Sequence, residues 1–440
     1  MSSSATSQDR LLPRLTKIEQ LIARRALTDA AKELNKAAQS APGDPRVYIL
    51  GSRLAEAAGN PKDALASMRR AASMAPDWPV AVIELGFLLA RQNQFQEAVE
   101  QAEKAMALAP EEGDVVGRAI DIAHRAQHFE RALDWLRLAV RTRPDNLHLQ
   151  QMIARDLGLL GRHGESRDAY TALIESGNED VQPAALIGRI QAVLKQGRKR
   201  EAQKDAKALL ALDPDHEEYR FWNELAQGRT PSTQPAALVR ELYRGFADLY
   251  DQHTVHGLRY QLPRQVAQRI LALPADRRRN VLDLGCGTGL LGACLGRPEG
   301  ALVGVDVSRE MVEQAARRNV YDKFHNVNLL DALRETPAGL YEVITACDVF
   351  IYVGDLTEAI PNAYRVLAPG GHFIFSCEAA TDEEGDLALR TTMRYAHGVE
   401  HVRSQCKAAG FADVSIEETE LRLEDELPVE GFIVMARKPD

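Results

Sequence analysis

Proline recurs at Pro42, Pro76, Pro110 and Pro144, each 34 residues from the last. Alanine keeps the same period twice over, at Ala30, Ala64, Ala98 and Ala132 and at Ala37, Ala71, Ala105 and Ala139. No other feature restricts the fold more. A period of this length is one supersecondary unit repeated. So small a unit cannot bury an apolar face alone, so its copies must stack. Alanines seven residues apart share one helical face, where a small side chain lets a second helix approach. The proline ends the second helix. A fifth unit, over 147–180, is degenerate, with Ser166 in the alanine place and Asn178 in the proline place. A sixth resumes with Ala202 and Pro214 after a two-residue slip.

The third unit is the clearest, with Leu85-Gly86, Leu89, Phe95, Ala98, Ala105 and Pro110. It resembles the tetratricopeptide repeat. That resemblance implies about six repeats over 11–214, wound into an all-α superhelix with a concave groove. Such arrays bind proteins or peptides, mediate self-association, or support a neighbouring domain. Residues 216–227 predict a capping helix, and Gly228 to Pro235, with Thr230-Pro231-Ser232-Thr233, a linker. The expected organisation is a disordered 1–10, the array over 11–214, capping helix and linker over 215–235, and a second domain over 236–440.

The second domain alternates strand and helix patterns. Strands are expected at 279–284, 301–305, 326–330, 341–347, 371–378, 412–418 and 430–437, and helices at 262–273, 289–296, 308–318, 355–367 and 395–409. Such alternation predicts an α/β fold, a mostly parallel seven-stranded sheet with helices on both faces. The last two strands form an antiparallel pair at one edge.

Residues 281–292 read Val-Leu-Asp-Leu-Gly-Cys-Gly-Thr-Gly-Leu-Leu-Gly. An apolar strand enters, Gly285, Gly287 and Gly289 form a turn, and a helical pattern leaves. This brings backbone against a nucleotide-like ligand. Asp306 follows at the end of the next strand, placed for ribose hydroxyls. Positions 287–292 match the dinucleotide pattern Gly-x-Gly-x-x-Gly, so NAD and S-adenosylmethionine both fit. Asp283, two residues before the first glycine, makes the stretch resemble the signature of class I S-adenosylmethionine-dependent methyltransferases.

From that resemblance follow a Rossmann-like domain and a set of roles. Gly285, Cys286, Gly287 and Gly289 would line the methionine and ribose of S-adenosylmethionine, and Asp283 would face its amino end. Asp306 would take both ribose hydroxyls. Ser308 and Met311 would pack near adenine, Val307 is a further cofactor-binding candidate beside them, and Asp331-Ala332, ending the third strand, would meet its amino group. Cys347 would lie beneath the sulfonium. The product would be S-adenosylhomocysteine, and no metal is expected. Lid and substrate candidates are Tyr250 and Tyr260, in a segment that also holds Tyr243, Phe246 and His256, and Arg394 and Tyr395 further on. His253, His397 and Tyr352 are the candidate catalytic residues, the histidines as bases for an O- or N-nucleophile.

Charge narrows the partners. Residues 1–235 hold equal numbers of basic and acidic side chains, so the net charge of −9 belongs to 236–440. A nucleic-acid substrate is disfavoured. The fourth strand ends Ala-Cys-Asp-Val-Phe-Ile-Tyr-Val, without the Asn/Asp-Pro-Pro-aromatic motif of nucleobase amine methylation. The expected acceptor is a small molecule or a carrier-bound acid, with a protein or carrier protein recruited through the repeat groove or a homo-oligomer formed by it. The rival readings are a protein methyltransferase whose groove holds the substrate, a non-catalytic repeat protein with a structural methyltransferase-like domain, and an NAD-dependent oxidoreductase. Five cysteines without a Cys-x-x-Cys pair, and neither an apolar signal core nor a membrane-spanning stretch, point to the cytoplasm.

Overall fold

The computed structural model describes residues 9–440 apart from 245, 246, 248, 249, 275–277 and 425, and the backbone alone of Gln252, His253 and His256. Two compact units divide after Asp205.

Among the described residues the 34-residue period becomes six helix pairs, the last of which runs past the end of the first unit. They are α1 (Leu12–Ala23) with α2 (Leu27–Ser40), α3 (Pro45–Ala57) with α4 (Pro61–Met74), and α5 (Pro79–Arg91) with α6 (Phe95–Leu108). Then come α7 (Gly113–Arg125) with α8 (Phe129–Thr142), α9 (Leu147–Leu159) with α10 (His163–Glu175), and α11 (Gln182–Lys195) with α12 (Lys199–Leu212). Pro42, Pro76, Pro110 and Pro144 each stand two residues past an even-numbered helix. All eight periodic alanines are buried. Ser166, in the alanine place of the fifth unit, is also buried, and its hydroxyl donates to the Ala154 carbonyl at 2.7 Å. An unpaired buried hydroxyl would cost about 1–3 kcal/mol, which this bond avoids.

The same period marks the turn inside each pair. Arg25, Gly59, Asn93, Gln127 and Gly161 all have left-handed backbone, with φ of 57°, 78°, 60°, 58° and 72°. In the sixth pair, after the two-residue slip, Gly197 takes the place with a φ of 70°, so three of the six are glycine and residue type hides part of the repeat.

The second unit begins with the end of α12 and α13 (Glu217–Ala226), which buries Phe221 and Trp222. After α14 (Ala236–Arg244), a π-helical turn (Gln252–Gly257) and α15 (Leu262–Leu271), the sheet starts. Its strands and helices run β1 (Val281–Leu284), α16 (Leu290–Leu295), β2 (Leu302–Val305), α17 (Arg309–Arg317), β3 (Lys323–His325), α18 (Leu329–Glu335) and β4 (Tyr341–Ala346). They continue as α19 (Ala359–Val366), β5 (Leu367–Ala379), β6 (Leu387–Leu389), β7 (Tyr395–His397), α20 (Val399–Ala408), β8 (Asp413–Glu424) and β9 (Leu427–Arg437).

The order β3-β2-β1-β4-β5 is parallel throughout. Antiparallel β9 pairs with β5 and carries β8 at the edge, as the closing hairpin predicted. Among the described residues the sheet has nine strands, not seven. The two extra strands, β6 and β7, are three residues each, too short for an alternating pattern, and β7 pairs with the tip of β5 at Glu378 and Ala379. Residues 395–397, expected to open a helix, are therefore strand. The third strand is 323–325 rather than 326–330, because Asn328 accepts from the Leu330 N–H at 2.8 Å and caps α18. Phe350, Phe373, Phe375 and Phe432 form the core on one face of the sheet. On the other face, α15 packs through Val266 and Ile270.

Candidate active site

Strand β1 is buried along its length and delivers the chain into the glycine turn. Gly285, Gly287 and Gly289 have φ of 66°, 53° and 82°. Two of them serve different ends. A Cβ on Gly285 would stand 2.1 Å from Val349 Cγ2, whereas one on Gly287 would meet nothing within 4 Å. Gly285 lets the turn close against the end of β4. Gly287 keeps a space open.

Parallel pairing of β1 with β2 aligns Leu284 with Val305, so Asp306 falls beside the turn. Its carboxylate accepts from the Gly287 N–H and the Ser308 N–H, both at 2.8 Å. Burial raises its pKa to about 6, against the pull of those two N–H groups. Asp283 is fully enclosed. It accepts from the Tyr321 hydroxyl at 2.7 Å and the Thr345 hydroxyl at 2.8 Å, and burial raises its pKa to about 6.

A cavity opens in front of the turn. Gly285, Gly287, Asp306, Val307 and Met311 line one part of it, and Tyr243, Tyr250, Cys347, Asp348 and Tyr352 another. Asp283 does not line it; it ties β1 to β4 behind the turn. Burial pushes the Cys347 thiol and the Tyr250 and Tyr352 phenols up, so all three stay un-ionised at neutral pH.

Several expected residues stand elsewhere. Cys286 is buried in the core behind the turn. Asp331 lies on α18, not at a strand end, and pairs with Arg334 at 2.8 Å, exposed; Ala332 packs into the core. His397 is 1% exposed, and its Nε2 faces the Val353 and Gly354 carbonyls at 3.1 and 3.0 Å. Burial lowers its pKa to about 4, so it is neutral and donates that proton to backbone rather than taking one from a substrate. Tyr395 donates to the Pro231 carbonyl at 2.8 Å, and Arg394 pairs with Glu424 at 2.5 Å. Tyr260 is buried in the core with Leu262 and Val266 and does not line the cavity. The side chains of His253 and His256, and Phe246 entirely, lie outside the described residues.

Other lining residues carry no signal in residue type. Thr233 and Gln234, in the stretch with linker composition, are walls of the cavity. Their segment is hydrogen-bonded to the 3-10 turn Phe350–Tyr352 and the residues after it: Gln234 N–H donates to the Tyr352 carbonyl at 2.9 Å, and Gly354 N–H to the Ser232 carbonyl at 2.9 Å. Asp348 has a φ of 54°, and its N–H donates to the Ser376 hydroxyl at 2.8 Å. A left-handed non-glycine residue at a strand end is a strained position of the kind that clusters at functional sites. Arg422, 3% exposed, holds the Asp348 carboxylate at 2.8 and 2.9 Å and also Glu378. Asp251 accepts from the Thr288 hydroxyl and pairs with Arg318, whose Nε donates to the Thr288 carbonyl at 2.6 Å. Among the described residues no side-chain cluster has the make-up of a metal site, and no helix is long and apolar enough to cross a membrane.

Residues 258–416 match the family model described as a methyltransferase domain, and residues 83–146 match the tetratricopeptide repeat model. The chain is similar to the ubiquinone biosynthesis O-methyltransferase of Psychrobacter cryohalolentis, at 25% identity over 38% of this chain and 65% of that protein. It is similar to the demethylmenaquinone methyltransferase of Symbiobacterium thermophilum, at 32% identity over 31% of this chain and 57% of that protein. Among solved structures, the N-methyltransferase NodS of Bradyrhizobium japonicum, in complex with S-adenosyl-L-homocysteine, is 20% identical over 41% of this chain and 89% of its own, with a TM-score of 0.32. The chain spans between three tenths and two thirds of the length of the curated relatives it matches. With the glycine turn, Asp306 and the parallel sheet in place, the chain is one that carries a methyltransferase domain behind tetratricopeptide repeats.

Proposed function

We propose that this protein is an S-adenosylmethionine-dependent methyltransferase acting on a small-molecule or carrier-bound acceptor. The observation that carries this reading is the pair formed by Gly287 and Asp306. The glycine has left-handed backbone and open space where a side chain would stand, and the carboxylate fixes its N–H from the cavity wall. That space and that acid fit the ribose end of S-adenosylmethionine, which when bound supplies a methyl group already activated on a sulfonium. Asp306 would accept from the ribose hydroxyls, and Val307 and Met311 would flank the base.

The chain's own part is alignment and the exclusion of water. Thr233, Gln234 and the tyrosines wall the cavity, and its un-ionised thiol and phenols supply no ready base at neutral pH. The repeat array is read as a recruiting or self-associating surface, serving a protein or carrier that brings the acceptor. Five free cysteines among the described residues suit a cytoplasmic setting.

Calorimetry on the full chain tests this. S-adenosylhomocysteine should bind, and Asp306→Ala should weaken it about 30-fold or more, the loss of two hydrogen bonds to a charged acceptor at about 1.5–3 kcal/mol each being partly made up by water. Equal affinity in the variant would remove the ribose assignment.

A further inference from the structure

The part of the cavity beyond the glycine turn has a chemistry of its own. Tyr243 and Tyr250, from the segment before α15, and Tyr352, from the turn after β4, form a box. The ring of Tyr243 stands at 71° to Tyr250, with centroids 5.9 Å apart, and at 88° to Tyr352, with centroids 6.1 Å apart. The hydroxyls of Tyr243 and Tyr352 are joined at 2.6 Å. Asp348 lines the same cavity. A single Arg422 nitrogen serves both of its oxygens, so each keeps further acceptor capacity.

The surrounding ion pairs do not cancel that carboxylate. Arg422 is shared with Glu378, which also pairs with Arg390, and Arg390 in turn holds Glu384. Arg422 also lies 3.8 Å from Glu424, which pairs with Arg394, so the cluster has four carboxylates to three guanidiniums and stays negative. Among the described residues lining the cavity, the charged ones are Asp306 and Asp348. Aromatic rings together with a carboxylate attract a cation, more strongly when water is excluded.

We propose that the methyl acceptor is an amine, whose nitrogen is received by the box of Tyr243, Tyr250 and Tyr352 beside Asp348; this rests on the methyltransferase reading above. The movement of charge agrees. The amine, an ammonium in water, gives one proton to water as it enters, and its lone pair then attacks the methyl carbon as the carbon–sulfur bond breaks, that bond's electrons staying on sulfur. The positive charge leaves sulfur and arrives on nitrogen. Rings and carboxylate stabilise the charge where it arrives. A carboxylate or phenolate acceptor would instead enter as an anion beside Asp348, where the two like charges repel.

The test is a titration of the full chain, first with S-adenosylhomocysteine and then, on the loaded protein, with benzyltrimethylammonium and with benzoate. Failure of the first ligand to bind counts against the methyltransferase reading itself. With it bound, the ammonium probe should bind about tenfold or more tightly than benzoate, the scale of a desolvated cation–π contact. Asp348→Asn should remove most of that preference while S-adenosylhomocysteine still binds. Tyr352→Leu is the second variant, used if Asp348→Asn does not fold, and should weaken the ammonium alone. Benzoate binding as tightly as the ammonium, neither probe binding, or a preference unchanged in the folded variant would overturn the amine assignment.

Discussion

Asp306 is asked to be ionised in a place that disfavours charge. Burial holds its pKa near 6, even with two backbone N–H groups supporting the carboxylate. Its ordinary value is 3.8, so the shift is upward and the acid takes up a proton as pH falls through about 6. A protonated oxygen is lost as an acceptor for a ribose hydroxyl. Affinity for S-adenosylhomocysteine should therefore be level above neutrality and weaken below pH 6, by up to about tenfold per pH unit once the group is mostly protonated. Calorimetry at pH 7.5 and 5.0 checks this, and Asp306→Asn should flatten the dependence. Residue type alone did not separate this acid from Asp283, which has a similar raised value but is spent on Tyr321 and Thr345. Nor did it show that His397 points at backbone carbonyls. A side chain's direction is set by the strand that carries it and by what packs opposite.

At the scale of elements, the segment before α15 is fastened to the glycine turn at one point. Asp251 takes the Thr288 hydroxyl and the Arg318 guanidinium, and Arg318 closes the triangle through the Thr288 carbonyl. Tyr250, the next residue back, is a cavity wall. Asp251→Asn keeps one acceptor oxygen but loses the charge. It should speed amide exchange around 250–258 and weaken S-adenosylhomocysteine about three- to tenfold, a loss of about 0.5–1.5 kcal/mol for a partly exposed charged contact. Unchanged exchange would show that the segment is held by its tyrosines instead. The helices and strands with strong periodicity were legible from sequence, and β6 and β7 were not. A three-residue strand owes its existence to the neighbour it pairs with, here the tip of β5.

At the scale of the molecule, Ser232 and Gln234 join a stretch of linker composition to the end of the 350–354 turn by backbone hydrogen bonds, and Tyr395 reaches Pro231. A chain starting at residue 236 loses these bonds and two cavity walls, while one starting at 206 keeps them. The shorter chain should melt several degrees below the longer, about 2–4 °C for each kcal/mol lost in a domain of this size, and bind S-adenosylhomocysteine less tightly. Equal melting points would show that 228–235 adds nothing to the fold.

The sequence by itself determined the repeat architecture, because each repeat meets its neighbour with the same small residues at the same spacing. It determined the strand–turn–helix at 281–295 and the acid after β2, because a glycine turn and a parallel register are local constraints. Only the tertiary structure decided which polar groups face the cavity. Asp348, Thr233 and Gln234 are there, and Asp283, Asp331 and His397 are not. Each of those outcomes turns on a partner that folding brings alongside, from the next turn of a helix, as for Asp331 and Arg334, to a strand more than 70 residues away, as for Asp348 and Arg422. Residue type and spacing give the chain its elements; which face of an element meets the cavity is decided when the elements pack.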